Sequence, residues 1–264
     1  MSTLAKRIED KRMLKIIRAY LNAGVMEGGL VRSTEEGTPQ GGNLSPLLSN
    51  IVLDELDKEL EKRGHRFVRY ADDCNIYVRS ARAGERVMKS ITRFITDRLK
   101  LKVNQGKSAV DTPSKRKFLG YSFTNEAEPR IRIAPQSLER FKDRIREITC
   151  RRKGISLKRM VKELMEYARR WVGYYYLCQT PSIFKHLDAW IRRRIRCFIW
   201  KQWKNFTTRV KELIQRGVWE KTAYIAASTP GLWAMSGSQM LHVALSNSYL
   251  ASIGVLTLAS FVKV

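Results

Sequence analysis

The sequence predicts an α+β protein in which a mixed part precedes an all-helical part. Over the first 130 residues, apolar patterns of helical spacing alternate with short β-rich runs. From Gln136 onward the apolar spacing is helical, with breaks near residues 153–156 and 180–182. The 264 residues are 44% hydrophobic, enough for one large or two modest domains with a core. We therefore expect domains over 1–130 and 136–264, with a boundary between residues 130 and 136.

The first elements follow from local patterns. Apolar residues at helical spacing predict a helix over 5–23 that ends at Gly24. The pair Gly28-Gly29, flanked by short apolar or β-branched pieces, predicts a hairpin within residues 26–36. A glycine-rich loop over 36–43 follows.

A second helix is predicted to start with Ser45 as N-cap and Pro46 at its first position, and to end at Gly64. After it we expect a hairpin around residues 67–78 and a helix over 83–100. Short strands are expected at 101–103, 108–111 and 118–123.

The hairpin near residue 72 carries two adjacent carboxylates. Asp72 and Asp73 lie between the apolar runs 67–68 and 76–78, so Ala71, Asp72 and Asp73 form the predicted tip. Carboxylates that converge at a tip repel each other unless a cation lies between them, and Mg²⁺ takes oxygen ligands while leaving positions for phosphates. A pair of such ions stabilises the attacking and leaving oxygens of a phosphoryl transfer. A solvated aspartate-rich turn is the alternative, and these residues alone do not decide between the two.

The charge balance indicates a polyanionic partner. Lys and Arg number 50 against 25 Asp and Glu, a formal net charge of +25. Residues 139–216 hold 22 Lys or Arg and 7 Asp or Glu, a net charge of +15. Such an excess is costly in self-repulsion, which favours nucleic acid as the partner over a membrane or a merely basic surface.

Aromatic residues are interleaved with this charge, as in proteins that hold single-stranded or irregular RNA. Helical spacing places most of these aromatics in the expected core. The run Arg192-Arg193-Arg194 with Arg196 is harder to explain without a counter-charge.

Cysteine usage excludes two classes of site. The four cysteines form no C-x-x-C motif and the three histidines stand apart, which argues against a structural zinc site and a disulfide framework. We expect a reducing, cytoplasmic location without a signal peptide or membrane anchor. The apolar stretch 249–262 is too short to span a bilayer, and we expect it to pack against protein.

Four motifs in order resemble the palm of a group II intron reverse transcriptase. They are Gly37-Thr38-Pro39-Gln40-Gly41-Gly42-Asn43-Leu44-Ser45-Pro46-Leu47-Leu48-Ser49-Asn50, Tyr70-Ala71-Asp72-Asp73, Leu101-Lys102-Val103-Asn104-Gln105-Gly106-Lys107-Ser108 and Phe118-Leu119-Gly120-Tyr121-Ser122-Phe123. The remainder resembles the thumb and maturase-specific domain of the same family. The resemblance implies an incomplete reverse-transcriptase palm followed by an all-helical thumb and maturase domain.

The resemblance also implies the site residues. Asp72 and Asp73 would be catalytic and bind Mg²⁺. The nucleotide-binding residues would be Gln40, Gly41, Tyr70, Ala71 and Lys107, and the primer-contacting residues Phe118, Leu119, Gly120 and Tyr121. RNA-binding residues would be Arg151, Arg152, Lys153, Arg169, Arg170, Arg192, Arg193, Arg194 and Arg196. Lys107 as a solvent-facing lysine and 118–121 as an ordinary core strand are the alternatives.

The implied partners are intron RNA, an RNA template with a DNA primer, and deoxynucleoside triphosphates. The implied function is RNA-directed DNA polymerisation by two-metal nucleotidyl transfer, with intron RNA binding and assistance to splicing. In this family a third carboxylate lies on a strand before the helix that resembles residues 4–23. We find no matching strand, and therefore expect an N-terminally truncated chain that polymerises poorly alone or is completed by a separate N-terminal reverse-transcriptase fragment.

Two alternatives remain for the function. One is a non-catalytic RNA-binding maturase fragment, and the other is a decayed fragment whose exposed sheet edge favours aggregation. We expect no endonuclease activity, because no His/Cys-rich cluster follows the helical part.

Overall fold

The structure is a computed structural model that describes residues 1–23, 25–27, 30–32, 43–152 and 154–261. Within these residues the protein is a helix-rich α+β protein with short antiparallel strand pairs. The chain divides into two compact units, Met1–Thr112 and Pro113–Val264. The domain boundary expected at 130–136 stays a prediction.

The first unit combines helices with two hairpins. Its helices are α1 (Ser2–Ala5), α2 (Lys11–Asn22), α3 (Ser45–Lys62) and α4 (Ala81–Arg93), and a π-helical turn (Phe94–Arg98) continues α4. Its strands are β1 (Val25–Glu27), β2 (Leu30–Arg32), β3 (Arg66–Tyr70) and β4 (Asp73–Tyr77). Strand β1 pairs with β2 and β3 with β4, both antiparallel, so both predicted hairpins are confirmed.

A small apolar core holds this unit together. Leu56 and Leu60 of α3 and Ile91 of α4 are buried, and Phe67 and Ile76 of the β3–β4 hairpin pack against them. One face of the hairpin is thereby fixed on α3, which leaves its other face and its tip outside the core.

The continuous helix predicted over 5–23 is wrong. Helix α1 ends at Ala5 and α2 begins at Lys11, because the Asp10 carboxylate accepts hydrogen bonds from the backbone N–H groups of Arg12 (2.7 Å) and Met13 (3.3 Å). A side chain that satisfies the first free N–H groups starts a new helix. The apolar spacing did predict the helix α2. Its two adjacent isoleucines differ in burial, since Ile17 is buried and Ile16 is 63% exposed.

Helix α3 begins at Ser45 with Leu44, and not Ser45, in the N-cap position. Its end is as predicted, since Gly64 takes a φ of +69° just after the last helical residues. The strands predicted at 101–103 and 108–111 are wrong. Neither segment pairs with a strand, and their apolar residues Leu101 and Val110 are each 38% exposed.

The second unit is a hairpin followed by helices. The hairpin pairs β5 (Tyr121–Phe123) with β6 (Ile131–Ile133), so the strand predicted at 118–123 is shorter than expected. The helices are α5 (Pro135–Ile148), α6 (Leu157–Tyr174), α7 (Ser182–Gln202), α8 (Phe206–Gln215), α9 (Glu220–Ser228), α10 (Leu232–Met235), α11 (Gln239–Ala244) and α12 (Asn247–Ser252), and a 3₁₀ turn (Leu258–Phe261) ends the described chain.

The core of the second unit forms where α5, α6 and α7 meet. Phe141, Leu164 and Ile195 are each 0% exposed. The described residues of the apolar stretch 249–262 pack onto this core as expected: Leu258 is buried, and its backbone N–H donates to Asp188 Oδ1 at 2.8 Å. Burial raises the pKa of the Asp188 carboxyl, and this hydrogen bond partly offsets that shift.

The described residues contain no helix that is both long enough and apolar enough to cross a bilayer. The cysteines Cys74, Cys150, Cys178 and Cys197 are all free thiols.

Gly120 offers a test of the packing in the second unit. Its φ is +79°, and an added Cβ would overlap Tyr175 Oη. We expect Gly120→Ala to lower the free energy of unfolding by about 2 kcal/mol or more, from backbone strain and steric overlap together. Thermal denaturation followed by circular dichroism measures the change. Gly173→Ala in α6 is the control, since its Cβ would meet nothing within 4 Å and should leave the melting temperature equal or higher. Equal melting temperatures for the two variants would contradict this explanation.

Candidate functional site

The acidic pair lies at the tip of the β3–β4 hairpin. The register pairs Arg66 with Tyr77 at one end and Tyr70 with Asp73 at the other, which leaves Ala71 and Asp72 as a two-residue loop. Ala71 has a φ of +53°, a left-handed conformation that costs a non-glycine residue about 1–2 kcal/mol. Contacts around the turn must therefore hold it in this conformation.

The two faces of the hairpin differ in exposure. Phe67 and Arg69 lie on the inner face, whereas Val68 and Tyr70 are 46% and 63% exposed. Asp73 is paired with the exposed Tyr70, and the side chains of Asp72 and Asp73 are themselves exposed. Both carboxylates are thus open to a ligand from solvent.

The donor set suits a hard divalent cation. Adjacent carboxylates supply oxygen ligands of the kind that Mg²⁺ prefers. The described part of the chain contains no group of three or more His, Cys, Asp or Glu residues that could hold a metal ion. Within that part, a cation bound by Asp72 and Asp73 would therefore need further ligands, such as water or phosphate oxygens.

Arg69 lies behind the turn and contacts both it and α3. Its Nε and Nη2 donate to the two carboxylate oxygens of Asp57 at 2.7 and 2.5 Å. Its Nη1 donates to Asn50 Oδ1 and to the backbone oxygen of Ala71, each at 2.8 Å. The hydrogen bonds to Asp57 raise the pKa of Arg69, so the guanidinium stays charged.

The network around Arg69 was not predicted from the sequence. Asn50 and Asp57 are seven residues apart on α3, two turns of helix, so they lie on the same face. That spacing, and the place of Arg69 on the inner face of β3, were the features of the sequence that could have indicated the network. Only the folded hairpin shows that the three side chains meet.

Four of the predicted residues lie together in one hairpin, and the others lie elsewhere in the chain or outside the described residues. Tyr70 and Ala71 adjoin the two aspartates in one hairpin. Lys107 is exposed in a turn, where its backbone N–H donates to Asn104 Oδ1 at 3.1 Å. Gln40 and Gly41 lie outside the described residues, as does Lys153.

The segment Phe118–Tyr121 forms a tight turn in the second unit. Phe118 and Tyr121 exchange two backbone hydrogen bonds of 2.9 Å around Leu119 (φ +51°) and Gly120 (φ +79°). Side chains fasten the turn to the end of α6. Tyr121 Oη donates to the Tyr174 carbonyl at 2.6 Å, and Tyr174 Oη donates to the Leu119 carbonyl at 3.0 Å.

A cleft of about 410 Å³ adjoins this turn. Its lining combines aromatic rings with one arginine and a serine, and consists of Leu119, Gly120, Ser137, Arg140, Phe141, Tyr167, Trp171, Tyr174 and Tyr175. Within the described structure the buried Ser137 Oγ has no hydrogen-bond partner. The cleft thus offers aromatic surface, a cation and a free hydroxyl next to the predicted primer-contacting segment.

The predicted RNA-binding arginines fall into two groups. Arg151, Arg152, Arg169 and Arg170 are exposed. Arg196 is only 4% exposed, and it donates to the Leu245 carbonyl at 2.9 Å and to Asn247 Oδ1 at 3.0 Å. Burial lowers its pKa. The guanidinium of Arg196 is therefore buried and hydrogen-bonded inside the protein.

Two neighbours of Arg196 also make internal contacts. Arg194 donates to Thr149 Oγ1 at 3.0 and 2.9 Å. Arg193 lies 4.2 Å from the centre of the Trp233 ring and donates to the Trp233 carbonyl at 3.1 Å. The guanidinium groups of Arg193, Arg194 and Arg196 thus interact with carbonyls, a hydroxyl and an aromatic ring. These contacts explain how the arginine cluster is accommodated in the fold. The remaining member of the cluster, Arg192, is half-buried.

Comparisons with known proteins match both parts of the chain. Residues 2–123 match the family described as reverse transcriptase (RNA-dependent DNA polymerase), and residues 138–219 match the maturase-specific domain of group II introns. The chain is similar to protein YkfC of Escherichia coli, at 28% identity over 42% of this chain and 38% of that protein. It is also similar to the group II intron-encoded protein LtrA of Lactococcus lactis, at 27% identity over 44% of this chain and 30% of that protein. The matches thus span about a third of the length of these relatives.

Cys74 offers a test of hairpin packing beside the acidic turn. It faces Arg69 across the strand pair, and burial raises the pKa of its thiol to about 11. Because only the thiolate reacts with iodoacetamide, we expect Cys74 of the folded protein to alkylate slowly at pH 8 and faster as the pH approaches 11. Mass spectrometry of tryptic peptides follows the reaction. The same peptide in urea is the control and should react quickly at pH 8. Equal rates in the folded and unfolded protein would show that the hairpin is not packed.

Proposed function

This chain belongs to the group II intron reverse transcriptase/maturase family, and on that premise we propose that it acts in RNA-directed DNA synthesis and binds intron RNA. DNA synthesis is supported by one observation, the exposed carboxylate pair Asp72–Asp73. The pair lies at a hairpin tip that Arg69 holds by a hydrogen bond, inside the region that matches reverse transcriptases. The proposed substrates are an RNA template with a DNA primer, and deoxynucleoside triphosphates.

In this proposal Asp72 and Asp73 hold Mg²⁺. When bound, the metal would neutralise developing charge on the phosphate oxygens during nucleotidyl transfer. Lys107 would contact the nucleotide phosphates, while Gln40, Gly41, Tyr70 and Ala71 would line the nucleotide pocket. The turn Phe118–Tyr121 would hold the primer end.

The second activity is intron RNA binding that assists splicing. It is supported by the match to the maturase-specific domain and by the net charge of +15 over residues 139–216. The exposed Arg151, Arg152, Arg169 and Arg170 are the proposed phosphate contacts, together with Lys153 and Arg192. We assign Arg193, Arg194 and Arg196 mainly to holding the fold, because each is hydrogen-bonded within the protein and none is exposed.

Primer extension on an RNA template with Mg²⁺ tests the polymerase proposal, with the chain alone and with the chain supplemented by an N-terminal reverse-transcriptase fragment. Asp72→Asn and Asp73→Asn remove one charge each at constant size, and we expect each to reduce extension by at least about a hundredfold. Glu85→Gln, an exposed change in α4, is the matched control and should extend like the wild type. Extension that survives both aspartate changes would contradict the proposal. A wild-type chain that binds intron RNA without extending a primer would favour a non-catalytic maturase.

Filter binding to a group II intron RNA over a range of salt tests the second activity. We expect Arg151→Gln, Arg152→Gln, Arg169→Gln and Arg170→Gln together to weaken binding. The slope of log K against log salt should flatten by about 0.7 for each phosphate of single-stranded RNA that the protein no longer neutralises. The control removes equal charge from α2, through Lys11→Gln, Arg12→Gln, Lys15→Gln and Arg18→Gln. An equal weakening in both variants would show a net-charge effect and contradict the assigned RNA-binding residues.

A further inference from the structure

Arg69 is the side chain that joins helix α3 to the backbone of the acidic turn. Three of its nitrogens are engaged: Nε and Nη2 by both oxygens of Asp57, and Nη1 by Asn50 and by the Ala71 carbonyl. The side chains of Arg69 and Asp57 are only 13% and 24% exposed. A planar guanidinium held at three nitrogens has one orientation, and this fixes where Nη1 presents its hydrogens.

The acceptor on the turn determines what this hydrogen bond does. The Ala71 carbonyl belongs to the peptide unit that joins Ala71 to Asp72, and that unit is planar. A hydrogen bond to its oxygen at 2.8 Å restrains rotation on both sides of the unit. It therefore restrains the direction in which the Asp72 side chain leaves the backbone. It also stabilises Ala71 at its positive φ of +53°.

Asp57 has a further electrostatic role. Asp57 accepts two hydrogen bonds from Arg69, so a carboxylate of α3 balances the positive charge of the guanidinium. Arg69 then meets the turn through a backbone carbonyl and leaves the carboxylate of Asp72 exposed to solvent.

We propose that Arg69 is a positioning residue for nucleotidyl transfer: it orients the Asp72 carboxylate through the Ala71 carbonyl, while Asp57 and Asn50 hold its guanidinium in place. The inference rests on the proposed polymerase function. It adds three residues outside the Tyr-x-Asp-Asp motif and states how each acts.

Two variants perturb the network by different routes. Arg69→Lys keeps the positive charge, but an ammonium cannot bind both oxygens of Asp57 and also reach Asn50 and the Ala71 carbonyl. Asp57→Asn keeps the size of the side chain and removes the charge that holds the fork. The second variant keeps the test informative should the first fail to fold.

Arg63 supplies the matched control. It pairs with Glu59 of α3 at 2.7 Å and donates to Ser90 Oγ of α4 at 2.8 Å, and neither partner belongs to the turn. Arg63→Lys therefore makes the same chemical change to a comparable arginine–carboxylate pair at the end of α3, at a side chain whose partners Glu59 and Ser90 are outside the turn.

The measurement is primer extension by the full chain as a function of Mg²⁺ concentration, with the melting temperature recorded in parallel. Misplacing a metal ligand weakens metal binding, so we expect the half-saturating Mg²⁺ concentration to rise about tenfold in Arg69→Lys and in Asp57→Asn. High Mg²⁺ should restore part of the rate. Arg63→Lys should keep the wild-type Mg²⁺ dependence whatever its melting temperature.

The outcomes separate this inference from its premise. If the wild type extends primers and depends on Asp72, an unchanged half-saturating Mg²⁺ in both network variants overturns the positioning role alone. A rise that Arg63→Lys shares would mean general destabilisation and would overturn it too. Extension that is absent in the wild type, or independent of Asp72, removes the proposed function, and the positioning role falls with it.

Discussion

Every guanidinium group in this protein needs an acceptor, and carboxylates are too few to supply them all. Basic residues number 50 and acidic residues 25. Where a carboxylate is within reach it pairs with the arginine, as Asp57 does with Arg69 through two hydrogen bonds. Elsewhere the guanidinium groups interact with backbone carbonyls, hydroxyls and aromatic rings, as for Arg193, Arg194 and Arg196. The arginines left exposed are those that a polyanion can bind.

The two turns that carry the candidate site residues are built alike. In each, a residue other than glycine has a positive φ, 53° at Ala71 and 51° at Leu119. In each, the carbonyl of that residue accepts a hydrogen bond from a side chain outside the turn: Arg69 for Ala71, and Tyr174 for Leu119. A strained conformation persists when its surroundings hold it in place. Tyr174 belongs to α6, and Arg69 of β3 is itself held by Asp57 and Asn50 of α3, so a helix supports each turn.

Local chemistry was enough to predict some elements and not others. Asp72 and Asp73 between two apolar runs predicted a hairpin tip, and the pairing of Tyr70 with Asp73 agrees. The spacing of apolar residues after Gln136 predicted helices, and α5, α6 and α7 form there. The strands expected at 101–103 and 108–111 failed because a strand requires a partner, which composition alone does not supply. The break before α2 depends on one capping hydrogen-bond acceptor, Asp10, within an otherwise helical pattern.

By itself, the sequence determined the family, the helical character of the second unit, the acidic hairpin and the excess of positive charge. Each of these depends on residue type and spacing along the chain. Only the tertiary structure decided which arginines are hydrogen-bonded inside the protein and which are exposed. The acceptors are distant in sequence: the Leu245 carbonyl, which accepts from Arg196, is 49 residues away. It likewise decided that Asn50, Asp57 and Arg69 meet behind Asp72. Such contacts depend on how a helix face and a strand face pack together, and a one-dimensional pattern does not contain that packing.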